Sequence, residues 1–412
     1  MATQNTITRH DHLTFKGNLK QTRYGWLRLT PAYSVHLVAE LLDKYASTNA
    51  VVLDPFCGTG TTALVCAERG VECETGDINP FLVWLSETKT HAYDTADLDA
   101  FGVAAAAIAK VIQHPPAEPL WIPPLHQIEK WWSHQTLQTL AHMLYRINSQ
   151  AESLPGASVN LLKVAFCRTM IDQSNASFAH QSMSFKKSAQ MSLLFEDDSD
   201  LVLASWEKSV AAIAASAHSP IVRQPRVLLC DARSLTTALP TNSYSCVITS
   251  PPYPNRMSYI RELRPYMYWL GYLRDGRAAG ELDWQAIGGT WGIATSKVAK
   301  WTPEADVAIP FDEFYTLLMD INRHSPVLSR YVHKYFYDMM RHCNQLFQVV
   351  KSGGTIHYIV GNSKFFDVLL PVERIFAALF ELAGFEDVRI RTLRKRTSKR
   401  ELFEYVVSAQ KP

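Results

Sequence analysis

The chain has 412 residues, 47% of them hydrophobic and 19% charged, with 41 basic against 39 acidic side chains and a formal net charge of +2. That length buries at least one large core, no apolar run reaches the ~20 residues of a membrane span, and the polar start "MATQNTITRHDHLTFKG" has no signal-peptide core. A membrane protein and a secreted one are therefore not expected, and a cytoplasmic location is. Near-neutral net charge says little about partners, because position matters more. The positive charge is concentrated in "RIRTLRKRTSKR", Arg389 to Arg400, and the negative charge in "FEDDSD", Phe195 to Asp200. The seven cysteines (57, 66, 73, 167, 230, 246 and 343) are odd in number and lack CxxC spacing, which predicts reduced thiols and no metal site.

In chain order, "PAYSVHLVAELLDKY" has helical apolar spacing from Pro31 to Tyr45. The run "AVVLDPF" then reads as a buried strand, "CGTGTT" as a turn, "ALVCAERG" as a helix closed by Gly70, and "VECETGDINP" as a second strand. Strand, Gly-rich turn, helix, strand opens a doubly wound sheet. The predicted fold is α/β, a Rossmann-like sheet with helices on both faces. Residues 1–87 form its first part and 88–225 a largely helical insertion. Residues 226–412 complete it around a second insertion at about 273–330. In that last part "PRVLLCDARSL" and "YSCVIT" read as strands, "QLFQVVKSGGTIHYIVGNS" as helix, tight turn and strand, and "FEDVRIRTLRKR" and "ELFEYVVSAQ" as two strands parted by basic loop residues.

The chemistry gathers at strand ends. "DPFCGTG", Asp54 to Gly60, sets a carboxylate before glycines whose backbone N–H groups a ligand can approach. It is neither G-x-G-x-x-G nor a P-loop. The acid repels phosphates and suits the ammonium of an amino-acid moiety. Asp77 stands where such folds hold ribose hydroxyls, and Asp231 ends a later strand where an adenine amino group can donate to it. Together the three acids describe a site for S-adenosyl-L-methionine.

With that turn upstream, "TSPPY" completes a resemblance. "DPFCGTGTT" followed by "TSPPY" resembles the DNA amino-methyltransferases, which methylate exocyclic nitrogens of cytosine or adenine. The resemblance covers about Thr22–Glu87 and Arg226–Pro412. It assigns Asp54, Pro55, Phe56, Gly58 and Gly60 to the methionine end of the cofactor, Asp77 to the ribose and Asp231 to the adenine. Through "RYGWLRLTPAYS" it adds Thr30 and Pro31. The order of motifs and the placing of the insertions match none of the common family layouts.

In the catalytic motif, two prolines end sheet pairing and free nearby carbonyls. Ser250 and the carbonyl of Pro251, beside Pro252, are then acceptors for the hydrogens of an amine that attacks a sulfonium methyl. Tyr253 offers a face for an extruded base. A carbon-5 cytosine mechanism needs Pro-Cys here, and Cys246 lies inside the strand instead. Ser-Pro-Pro-Tyr is typical of the cytosine-N4 enzymes, so that product is expected. Adenine-N6 methylation, RNA amino-methylation and a catalytically silent DNA-binding protein stay open as rivals.

Arginines interleaved with aromatics in "PNRMSYIRELRPYMYW" mark Arg256 and Arg261 for DNA contact. The basic run adds Arg394, Lys395, Arg396 and Lys399 as phosphate contacts. "IGGTWG", Ile287 to Gly292, is a glycine loop able to approach the substrate backbone. The implied partner is double-stranded DNA in a prokaryotic cytoplasm, at the nucleoid, and the sequence leaves open whether a separate cognate restriction endonuclease exists or the enzyme is an orphan. The first insertion is the expected recognition region, and the oligomeric state is left open.

Overall fold

The computed structural model describes residues 18, 22–27, 33–47, 49–113, 120–177, 184–186, 198–304, 307–396 and 401–412. Thr30, Pro31 and Lys399, expected at the site, lie outside them. Helix α1 (Val35–Tyr45) starts at a Ser34 cap and buries Leu37, Val38, Leu41 and Leu42. Strand β1 (Val51–Asp54) leads into α2 (Thr61–Arg69), which Gly70 closes at φ +72°, and then into β2 (Glu72–Asp77) and α3 (Pro80–Thr90).

The stretch that follows is mostly helical: α4 (Thr95–Gln113), α5 (His134–Ser149), α6 (Gly156–Asp172), the short strands β3 (Ala176–Ser177) and β4 (Ser184–Phe185), and α7 (Asp198–Ala217). Strands resume with β5 (Arg226–Leu229) and β6 (Tyr244–Thr249). Helices α8 (Tyr259–Trp269), α9 (Gly276–Gln285), α10 (Ile293–Lys300), α11 (Phe314–His324) and α12 (Pro326–Val349) come next. The chain ends with β7 (Val350–Gly361), the hairpin strands β8 (Ser363–Phe365) and β9 (Val368–Leu370), α13 (Val372–Ala383), β10 (Glu386–Lys395) and β11 (Phe403–Gln410).

Seven strands form one sheet in the order β10-β11-β7-β6-β1-β2-β5. It is parallel except for β11, which runs antiparallel to both β7 and β10. From β1 the chain steps outward through β2 to β5 and later returns to the other side of β1 with β6. The order therefore reverses between β1 and β6, where an open α/β sheet leaves a crevice at its carboxyl edge. The fold is a Rossmann-like α/β sheet.

One detail differs from the sequence reading. "KSGG" is a bulge inside β7, because Tyr244 and Cys246 of β6 face Val350 and Thr355. The strand expected in "FEDVRIRTLRKR" is β10, paired with β11.

Helices α4 to α7 share one apolar core with α8, around Trp131, Trp132, Trp206 and Trp269. Arg23, 1% exposed, sits at the neck of this unit. Its guanidinium donates to the carbonyls of Lys89 and His91 at the end of α3, and to those of Ser216, Ala217 and Ser219 at the end of α7. Those are the negative ends of two helices, where a buried cation is favoured. No described helix is long and apolar enough to cross a membrane, and all seven cysteines are free.

Candidate active site

The buried β1 ends at Asp54, which is wholly inaccessible to solvent. Its carboxylate accepts from the Thr249 hydroxyl at 2.5 Å, from the Phe56 amide at 3.1 Å and from the Tyr33 hydroxyl at 3.3 Å. Tyr33 is itself bonded to Thr62 of α2. Burial raises the Asp54 pKa and these hydrogen bonds partly offset it. Thr249 immediately precedes Ser250, so one hydrogen bond joins the end of β1 to the end of β6.

The turn after Asp54 depends on two glycines in the left-handed region, Gly58 at φ +52° and Gly60 at φ +76°. A Cβ at Gly60 would meet Ser86 Oγ at 2.6 Å, so α3 packs directly on the turn. A Cβ at Gly58 would meet only the Phe56 carbonyl at 3.7 Å. The outer side of Gly58 is therefore open to a ligand. Behind the turn, the buried Lys89 ammonium donates to the Thr59 carbonyl at 3.0 Å, and desolvation lowers its pKa to about 8.

Asp77, at the end of β2, accepts from the amides of Gly58 and Asn79, both at 2.9 Å. Burial outweighs those bonds, and with help from the nearby Asp54 it raises the carboxyl to about pKa 6. Asp231 follows β5 and is held by Arg233, whose Nε lies 3.0 Å from Oδ1 and whose Nη2 lies 2.7 Å from Oδ2. Arg233 also lies 3.3 Å from Asp338. The Asp231 pKa is lowered because these bonds outweigh a desolvation that acts the other way. Asp231 is thus one arm of an ion-pair network rather than a lone acceptor. Cys230, beside it, presses its sulfur on Gly76, where a Cβ would come within 2.3 Å. An acid at the β1 end, an open glycine turn and a second acid bonded to that turn fit S-adenosyl-L-methionine. Asp54, Gly58 and Asp77 would hold it.

The Ser-Pro-Pro-Tyr loop leaves β6 on the same edge, but its acceptors are partly engaged. Ser250 donates to the Ile359 carbonyl at 3.2 Å, and the Pro252 carbonyl, expected free, accepts from Tyr335 at 2.7 Å. The Tyr253 hydroxyl donates to Glu404 Oε1 at 2.9 Å, and Arg394 Nε donates to Glu404 Oε2 at 2.7 Å. The Arg396 guanidinium lies over the Tyr253 ring, 5.1 Å from its centroid. Arg394, expected as a phosphate contact, is thus engaged by Glu404, and Arg396 rests on the catalytic loop. The acid that neutralises Arg394, Glu404, is its register partner on β11.

Beyond the loop opens a cleft of about 760 Å³, lined among others by Arg256, Arg261, Trp291, Lys364 and Arg396. Arg256 and Arg261 are both exposed there. Lys395 is half-buried and is not part of that lining.

Sequence reasoning missed Asp283, which is 1% exposed. It accepts from Ser258, the cap of α8, at 2.5 Å and from the Trp291 amide at 2.7 Å, tying the glycine loop to the catalytic loop. Its place just before "IGG" was the available signal. Arg264 of α8 stacks between Trp131 and Trp291, at 5.2 and 5.6 Å, and so joins the helical unit to that loop.

A family model described as DNA methylase, of the N6/N4 type, matches residues 17–87, the segment that holds the glycine turn and Asp77. The type II methyltransferase M.BsoBI of Geobacillus stearothermophilus is 21% identical over 93% of this chain and 82% of its own length. The type II methyltransferase M.AvaI of Nostoc sp. is 20% identical over 92% and 83%. The crystal structure of TrmN from Thermus thermophilus overlays 96% of this chain on 53% of its own at 11% identity, with a TM-score of 0.35. The chain is thus similar to the N6/N4 DNA methylases over residues 17–87, and to type II methyltransferases at about one residue in five over nearly its whole length.

Proposed function

We propose that the protein methylates the exocyclic N4 of a cytosine extruded from duplex DNA. The observation that carries this reading is the meeting of Asp54 and Thr249 at 2.5 Å, which supports a cofactor turn and an amine-binding loop at one crevice.

The cofactor, when bound, supplies an electrophilic methyl on a sulfonium. Asp54 and the Gly58 turn bind its amino-acid end, Asp77 its ribose, and Asp231, positioned by Arg233, its adenine. Ser250 and the Pro251 carbonyl accept the hydrogens of the target amine, drawing its nitrogen toward tetrahedral geometry and stabilising the charge that develops there. The amine then loses a proton after transfer, and no covalent enzyme intermediate is needed. Pro252 stiffens the loop and anchors it on Tyr335. Tyr253, fixed through its hydroxyl by Glu404, stacks on the base. Arg256 and Arg261 contact phosphates, and the helices α4 to α7 read sequence. Ser250 in place of an aspartate is the ground for choosing cytosine over adenine.

DNA methylated by the pure protein and digested to nucleosides should yield N4-methylcytidine in its deoxy form. N6-methyladenine alone would replace the assignment with the adenine reading. Sequencing that detects modified bases on the same DNA reads out the recognition site.

A further inference from the structure

Arg396 covers one face of the Tyr253 ring. Its guanidinium is 5.1 Å from the ring centroid, and it forms part of the wall of the 760 Å³ cleft, whereas neither Ser250 nor Tyr253 lines that cleft. Arg396 therefore stands between the cleft and the ring. Gly361 makes the arrangement possible: a Cβ there would stand 2.6 Å from Arg396 Nη1 and 3.0 Å from Tyr253 Cε2.

The hold on Arg396 is weak. Among the described residues its guanidinium has one bond to a neutral acceptor, the Asn362 carbonyl at 2.8 Å, besides the ring itself. Arg394, two residues earlier, has a carboxylate, whereas no ion pair of Arg396 occurs among the described residues. A phosphate in the cleft would offer a charged, bidentate acceptor in its place.

The cleft suits a nucleotide on independent grounds. Its volume falls within the roughly 300–1,000 Å³ of ligand pockets. The first turn of α12 reaches it through Ser325, Val327 and Leu328, a favourable end for an anion. Ser363, also in its lining, is 4% exposed and its hydroxyl has no hydrogen-bond partner among the described residues. A buried hydroxyl left unsatisfied is costly, and a ligand oxygen would relieve it.

We propose that the cleft takes one phosphodiester of the methylated strand and that this phosphate draws Arg396 off Tyr253, opening the stacking face only when DNA is in place. The inference rests on the reading of Tyr253 as the partner of the extruded base. It makes Arg396 a positioning residue that trades one π face for one phosphate.

The test replaces phosphates around the mapped target base one at a time with neutral methylphosphonates. It measures kcat/KM for the wild type, Arg396→Ala and Arg396→Lys, and follows 2-aminopurine fluorescence at the target position. One neutral linkage should lower wild-type kcat/KM by about tenfold or more and weaken the fluorescence change. Arg396→Ala should show no added loss at that linkage, and its salt slope should fall by about one. Arg396→Lys, which keeps the charge, should restore both the sensitivity and the slope. Cofactor titration checks that each variant is folded.

Losses that multiply in Arg396→Ala, or a scan in which no linkage matters, would overturn the proposal while leaving the function intact. Full turnover by Tyr253→Ala would instead remove the reading on which it rests.

Discussion

The hydroxyl of Thr249 bonds to the carboxylate of Asp54 across the point where strand order reverses. The last residue of β6 thereby finishes the solvation of the acid that ends β1. Thr249→Val keeps the shape and removes the donor. A buried carboxylate short of one bond should cost about 1–3 kcal/mol of stability, read by denaturant unfolding. Cofactor affinity should fall in the same variant, read by calorimetry, because Asp54 relaxes away from the turn. Unchanged stability would mean that Tyr33 and the Phe56 amide suffice.

Removing the hydroxyl of Ser250 should separate binding from turnover. Ser250→Ala is expected to lower kcat by roughly 10²-fold, the scale of one lost transition-state acceptor or donor. Cofactor affinity should not move, since Ser250 bonds to the Ile359 carbonyl and not to the glycine turn. Single-turnover methyl transfer measures the first quantity and calorimetry the second.

The pKa of about 6 at Asp77 gives cofactor binding a pH dependence. In the proposed role of Asp77, ribose hydroxyls donate to the ionised carboxylate, so binding favours the deprotonated form. Affinity should be full above that pKa and decline as pH falls through it. Asp77→Asn should bind weakly and lose this dependence. Folding stability runs the other way: the folded pKa lies above the ordinary carboxylate value, so the native state binds more protons. Stability contributed by Asp77 should therefore fall as pH rises from about 4 to about 6. A cofactor dissociation constant that stays flat from pH 5 to 8 would remove Asp77 from the ribose site.

Arg23 makes its contacts through five backbone carbonyls, so truncation leaves several buried acceptors unpaired. Arg23→Ala should cost about 3 kcal/mol or more, and Arg23→Lys should recover little because an ammonium cannot match a planar fork. Thermal unfolding measures both. A lysine variant as stable as the wild type would show that charge alone holds the neck.

The parts legible in the sequence were those whose chemistry is local. A short apolar strand, an acid and two glycines within seven residues specify the cofactor turn because each constrains its neighbours. The prolines after Thr249 likewise end a strand wherever they occur.

The relations among distant residues were not legible. Arg396 comes to lie on Tyr253 because β11 inserts between β7 and β10, a pairing that composition does not encode. A run of basic residues reads as solvated until the strand that supplies Glu404 is known. Asp231 is intermediate: the Asp-x-Arg spacing in "CDARSL" carried the ion pair, but Asp338, which completes the network, arrives from α12.

The helical stretch from α4 to α7 leaves the sheet after β2 and rejoins it at β5, its immediate neighbour. Arg23 clasps both points of passage at once. Whatever helices lie between them, entry and exit are held at a fixed separation by one side chain from outside the excursion. A foreign helical segment joined at these two points should inherit its orientation from the clasp.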